Sequence, residues 1–240
     1  IKEFVNEAVD TLVSILGAMP APSGNLPIVF APGDGAFLFY AVVGQALEGD
    51  RATSGSSWLS GRAGSRISGS DITITDNGLS SSCPLTRRYD DEGSRRRRTL
   101  LVEKGILRNY MESLSNISGD GAGTTGNGRR QSFRYPPVPR ANCFTVERGR
   151  REVCDIIGEV SEGIYVNFLS GGESDISGGN FVFSAPEAWL IRNGRISEPT
   201  RGVVLTGQGE ELLDRVSALG NDFSYERQGA QINKAGQSIR

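Results

Sequence analysis

Apolar side chains recur every three or four positions near the start of the chain (Phe4, Val5, Ala8, Val9, Leu12, Leu16). This spacing predicts an amphipathic helix over residues 1–17, stopped by Gly17 and by Pro20-Ala21-Pro22. Leu26–Phe30 reads as a short strand broken by Pro32-Gly33-Asp34-Gly35. Ala36–Leu47 is apolar nearly all round and predicts a second, buried helix. A Ser- and Gly-rich stretch from Arg51 to Ser82 carries one strand candidate, Ile72–Thr75, closed by the turn Asp76-Asn77-Gly78.

Beyond it, Thr99–Val102 and Ile106–Tyr110 flank Glu103-Lys104-Gly105 and predict a hairpin with glycine at a positive-φ position. Glu152–Val160 reads as a short helix leading into a strand at Ile164–Leu169. Phe181–Phe183 and Trp189–Ile191 follow, the latter closing on Asn193-Gly194, a strong two-residue hairpin signal. Ile196 and Val203–Leu205 continue the sheet, and Glu210–Leu219 is expected to be a helix ended by Gly220. Mostly antiparallel strands with a few segregated helices define an α+β fold. Composition alone makes Gly119–Arg130, which is followed by Pro136, Pro137 and Pro139, a flexible linker or boundary. The length allows one large or two modest domains, and one domain over residues 1–240 is the expectation.

Composition then narrows the chemistry. With 26 Lys and Arg against 28 Asp and Glu, the net charge of −2 gives no tilt toward nucleic acid. The run Arg95–Arg98 adjoins Asp90, Asp91 and Glu92, which makes it a locally balanced, solvated loop. No window approaches the ~18 consecutive apolar residues of a membrane helix, and Ile1-Lys2-Glu3 does not open a signal peptide, so a cytoplasmic location and no membrane contact are expected. Cys83, Cys143 and Cys154 are widely spaced and lack a CxxC pair, which marks them as reduced and structural. The chain has no histidine at all. A Ser-His-Asp triad is therefore excluded, and so is any zinc site that uses imidazole.

Several words of this sequence, in this order, resemble the TldD/TldE family, also called PmbA or modulator of DNA gyrase proteins. They are Gly44 and Leu47-Glu48-Gly49-Asp50, Gly55-Ser56-Ser57, Ser60-Gly61-Arg62, Asp90-Asp91-Glu92-Gly93, Thr125-Gly126-Asn127-Gly128-Arg129-Arg130, Gly163–Val166, Glu187–Gly194, Gly220-Asn221-Asp222 and Gly236-Gln237-Ser238. The resemblance spans nearly the whole chain and implies the family's C-terminal domain. Members are about twice as long, so the family's N-terminal domain is expected to be absent here and to come from a second polypeptide.

In active TldD-type members the resemblance implies a His-Glu-x-x-x-His helix, with two histidine ligands and a glutamate base, and a cysteine near the C-terminus as third ligand. Three protein ligands leave a fourth position for a water that the metal acidifies. Anchored on Leu47–Asp50, the three helix positions fall on Tyr40, Ala41 and Gln45; anchored on Gly236–Ser238, the cysteine position falls on Ile232. No metal is expected in this chain, and zinc only in a partner subunit.

Two roles for Tyr40 and Gln45 stay open at this point: packing of a vacated site, or polar contact with a ligand. Asn221 and Asp222 are candidates to face the same cleft, with helix capping as the alternative. Glu48 and Asp50 lie beside the motif as potential acids or bases, with no neighbouring nucleophile evident in the sequence. Thr125–Arg130 resembles a phosphate cradle only superficially, because no strand precedes it and no Gly-Lys-Ser/Thr completes it.

The leading expectation is the non-catalytic half of a heteromeric TldD/TldE-type complex acting on peptides, paired with a related subunit. The alternative is a repurposed metal-free hydrolase or tailoring enzyme for a peptide or small amide, in the setting of natural-product biosynthesis. A plain binding module, holding an extended peptide along a sheet edge, is a third reading that overlaps the first.

Overall fold

Alternation becomes a sheet in the computed structural model, which describes residues 2–83, 86–117, 123–225 and 232–239. Along Asn180–Ala185 every second residue is buried, so Phe181, Phe183 and Ala185 turn inward together. This strand pairs antiparallel with Gly171–Ser174 and with Val203–Gln208, whose Val203 and Leu205 face the same core. A five-stranded sheet has the order 19–20, 195–201, 187–192, 162–168, 28–30; its two outermost pairings are parallel and the inner ones antiparallel. A four-stranded antiparallel sheet runs 106–107, 98–103, 74–77, 144–146. Two small ribbons, 128–129 with 138–139 and 232–234 with 237–239, complete the strands. The architecture is α+β, with mostly antiparallel sheets and few helices.

Both predicted hairpins form. Asn193 and Gly194 have φ of 50° and 75°, and Lys104 and Gly105 have 47° and 78°, as two-residue turns with paired positive φ require. The first helix runs Lys2–Leu16 as its periodicity predicts, yet Val5, Val9, Leu12, Val13 and Leu16 are exposed, Leu16 to 84%. Among the described residues no helix is long and apolar enough to cross a membrane.

Three expectations need correction. The buried block Ala36–Leu47 is not one α-helix: an α-helix at Asp34–Phe39 widens into a π-helical turn at Tyr40–Gly44 and tightens into a 3₁₀ turn at Gln45–Leu47. The helix expected over 210–219 stops at Asp214. The Leu213 carbonyl, which a longer helix would use, accepts the Ser68 hydroxyl at 2.7 Å instead. The strand expected at Ile72–Thr75 is shifted to Ile74–Asn77.

That shift puts Asp76, fully buried, inside a strand. Its Oδ1 accepts the backbone N–H of Asn142 (2.9 Å) and Cys143 (2.6 Å), and its Oδ2 accepts Asn127 Nδ2 (2.7 Å) and Asn142 Nδ2 (3.3 Å). The glycine-rich stretch is therefore not a loose linker over its described part: Thr125 and Asn127 are buried, and Asn127 also donates to the Arg140 carbonyl at 2.8 Å. Residues 118–122 of that stretch lie outside the described residues. Burial holds the Asp76 carboxyl above the ordinary carboxylate range, against the pull of its amide donors. Replacing it by alanine orphans several buried N–H groups at once; Asp76→Ala is expected to lower the unfolding free energy by about 3 kcal/mol or more in urea titrations.

Candidate functional site

The π-helical turn decides what the second helical block presents. Positions five apart on an α-helix are separated by about 140° around its axis. At Tyr40–Gly44 the wider turn closes on a bond from the Gln45 N–H to the Tyr40 carbonyl. Tyr40 and Gln45 then reach one polar cluster from opposite ends. Gly44 makes this possible: a Cβ there would drive into the Tyr40 ring and touch Phe144, whose ring centroid lies 5.5 Å from that of Tyr40.

The centre of the cluster is Glu48, with no exposed surface. Its Oε1 accepts the Tyr40 hydroxyl at 3.3 Å; its Oε2 accepts Lys234 Nζ at 2.7 Å and lies 3.5 Å from Arg51 Nη1. Lys234, 8% exposed, gives its other two protons to Asp50 Oδ1 (2.6 Å) and the Pro139 carbonyl (2.9 Å), so all three donors of the ammonium are used. Arg51 Nη1 also donates to Gln45 Oε1 at 3.1 Å, while Gln45 Nε2 donates to the Ala41 carbonyl at 3.2 Å. Glu48 and Asp50, which the sequence leaves without partners, thus share Lys234. No local pattern signals this, because 184 residues separate Lys234 from Asp50.

Tyr40 lies between this cluster and a cleft of about 1620 Å³. Its own pKa is raised far above the ordinary phenol value by burial and by the Glu48 charge, with Arg140 and Arg129 opposing. Ile232, on the C-terminal ribbon, also borders the cleft, and its carbonyl accepts Arg140 Nη2 at 3.1 Å. Ala41 is buried; its carbonyl, not its side chain, carries polarity. Asp222 lines the cleft, whereas Asn221 turns to Glu152 Oε1 (2.5 Å) and bonds the Arg151 carbonyl through its backbone.

Three strands that end their sheets border the same cleft: Ile28–Phe30, Phe144–Val146 and Val203–Gln208. Each leaves one backbone edge unpaired among the described strands. Arg129 and Arg140 complete the wall beside Tyr40, with Cys83, Asn142, Cys143 and Phe144 next to them. Burial raises the Cys143 thiol far above its usual value, reinforced by Cys83.

Residues 23–236 match the PmbA/TldA metallopeptidase C-terminal domain family. The chain is 35% identical over 236 residues to the metalloprotease TldD homologue of Haemophilus influenzae, covering 98% of this chain and 49% of that protein. It is likewise 35% identical over 239 residues to the TldD homologue of Buchnera aphidicola from Acyrthosiphon pisum, covering 100% of this chain and 50% of the relative. Among solved structures, TldE from Thermococcus kodakarensis superposes with a TM-score of 0.80 at 27% identity, over 91% of this chain and 50% of that one. The chain thus spans about half the length of these relatives. It belongs to the PmbA/TldA family.

Removing the ammonium leaves Asp50 without its cation and the buried Glu48 with Arg51 alone. Lys234→Met is expected to cost about 3–5 kcal/mol of stability, and adding Glu48→Gln and Asp50→Asn should recover part of it, read from urea midpoints. Tyr40 gives a pH signature. Because its folded pKa is raised, its stabilising contribution is complete below the ordinary phenol value of ~10 and is lost as pH rises through the raised value. Near-ultraviolet titration of Tyr40→Phe should therefore show the same tyrosinate amplitude as the parent chain below pH ~11.

Proposed function

We propose that this chain, as a PmbA/TldA family member, is a non-catalytic subunit that holds peptide substrates and pairs with a related, zinc-bearing subunit. The observation that carries this reading is a large cleft edged by three open strands beside motif positions whose side chains do not fit zinc. A catalytic zinc needs three protein donors and one open position. Tyr40 keeps its proton, raised in pKa, on a bond to Glu48. Gln45 has both ends of its amide engaged. Ala41 and Ile232 have no side-chain lone pair to offer. Glu48 and Asp50 are tied to Lys234, and among the described residues no group of three or more His, Cys, Asp or Glu could hold a metal ion. No hydrolytic step through zinc is assigned to this chain.

Peptide holding, by contrast, needs only backbone edges and apolar walls. An extended peptide adds a strand to an unpaired edge through main-chain hydrogen bonds. Ile28–Phe30, Phe144–Val146 and Val203–Gln208 offer such edges, and Phe30, Phe37 and Leu205 supply apolar wall. The exposed apolar face of the Lys2–Leu16 helix supports association, because five large aliphatic side chains on one helix are a contiguous patch of the kind that marks an interface. The engagement of Tyr40 and Gln45 within the protein favours a packing role for them over ligand contact.

Purification from the native host, with subunit masses and zinc per complex measured on the same sample, tests the proposal. The expected result is a heteromer whose zinc follows the histidine-bearing partner; a complete, active assembly without such a partner overturns it. Restoring the donors gives a second check. The variant carrying Tyr40→His, Ala41→Glu, Gln45→His and Ile232→Cys is expected to bind zinc stoichiometrically by elemental analysis, where the parent chain binds substoichiometric amounts under the same dialysis.

A further inference from the structure

Arg140 is 1% exposed, among the largest fully buried side chains of the protein. Arginine is almost never fully buried unless it is paired, since an uncompensated buried charge costs several kcal/mol. Yet among the described residues no carboxylate lies within salt-bridge distance of Arg140. Its Nη2 donates to a neutral acceptor, the Ile232 carbonyl, and its Nε has no hydrogen-bond partner. Two buried acids of this region are already committed: Glu48 to Lys234 and Arg51, Asp76 to four N–H donors.

Arg129 lines the cleft beside it, donating Nη1 to the Ala141 carbonyl at 2.7 Å, and each guanidinium is close enough to bear on the other. Tyr40 borders both as a neutral phenol. Arg140 is therefore a buried cation with no carboxylate partner among the described residues, set beside Arg129 in the wall of a cleft edged by unpaired strands.

Resting on the peptide-holding reading, we propose that Arg140 and Arg129 receive the free α-carboxylate of a bound peptide. A guanidinium presents two parallel N–H donors to a planar carboxylate, which gives orientation as well as charge. The Phe144–Val146 edge starts four residues after Arg140. A peptide anchored by its C-terminus can therefore run back along that edge, with its preceding side chains toward Phe30 and Leu205. The chain would then select peptides by a free C-terminal end and by backbone, not by side-chain sequence.

The test uses the full, unmodified chain and one N-terminally fluorescent apolar hexapeptide made as the free acid, as the C-terminal amide, and as an amide with glutamate in the last position. In fluorescence anisotropy the free acid is expected to bind roughly tenfold or more tighter than the plain amide, the size of a charge-assisted hydrogen-bond contribution. This preference should fade in Arg140→Gln and be partly kept in Arg140→Lys. Equal binding of acid and amide overturns the carboxylate site and leaves the peptide-holding reading standing. Binding of the glutamate amide as tight as the free acid overturns the α-carboxylate assignment. Binding of none of the three overturns both readings. Because the decisive comparison varies the peptide, it holds even where the arginine variants fail to fold.

Discussion

The ammonium of Lys234 is the interaction on which the site depends. Its three protons go to Glu48, Asp50 and the Pro139 carbonyl, and so one buried cation ties the last ribbon of the chain to the second helical block and to the 128–139 ribbon. Such an ion triad is a poor source of net stability, because desolvation offsets much of the attraction. It is a strong source of specificity: a register slip of either segment would take the ammonium away from the fully buried Glu48 carboxylate. Gln237, the first residue of the returning strand, extends the same closure by accepting the Gln131 N–H and donating to the Pro136 carbonyl.

Asp76 plays a corresponding part for the cleft wall beside Tyr40. By gathering N–H groups from residues 127, 142 and 143, it fixes the loop that carries Arg129 and the segment that carries Arg140. The segments that carry the two guanidinia are held in place by a carboxylate that is itself saturated with neutral donors, and Arg140 has no carboxylate partner among the described residues. The fold thus separates an internally balanced cluster around Glu48 from the buried guanidinium of Arg140. Tyr40 stands between the two, its hydroxyl bonded to Glu48 and its ring packed on Phe144 over Gly44.

This arrangement shows how the block that carries Tyr40, Ala41 and Gln45 is held by the chain's own side chains. The backbone geometry of the motif, a π-helical turn that brings positions 40 and 45 to one cluster, is sustained by packing and hydrogen bonds among Tyr40, Gln45, Arg51 and Glu48. The open strand edges owe nothing to those positions, because they follow from sheet order.

What the sequence determined by itself was whatever depends on neighbours along the chain. The Asn193-Gly194 and Lys104-Gly105 turns, the alternation of Asn180–Ala185 and the first helix all follow from local backbone preference and side-chain period, and the ordered motif words identify the family. The absence of histidine likewise bounded the chemistry before any fold was known. The tertiary structure decided what depends on residues far apart in sequence. A period of apolar residues cannot distinguish an α-helix from the α, π and 3₁₀ succession of Asp34–Leu47, since that choice rests on Gly44 yielding room to the rings of Tyr40 and Phe144. The helix after Gln208 was shortened by a hydroxyl 145 residues earlier in the chain, and the glycine-rich loop was ordered by Asp76. Neither Lys234 nor Arg140 stood out in the sequence, because a lone lysine or arginine reads as solvated until the fold shows which charges surround it.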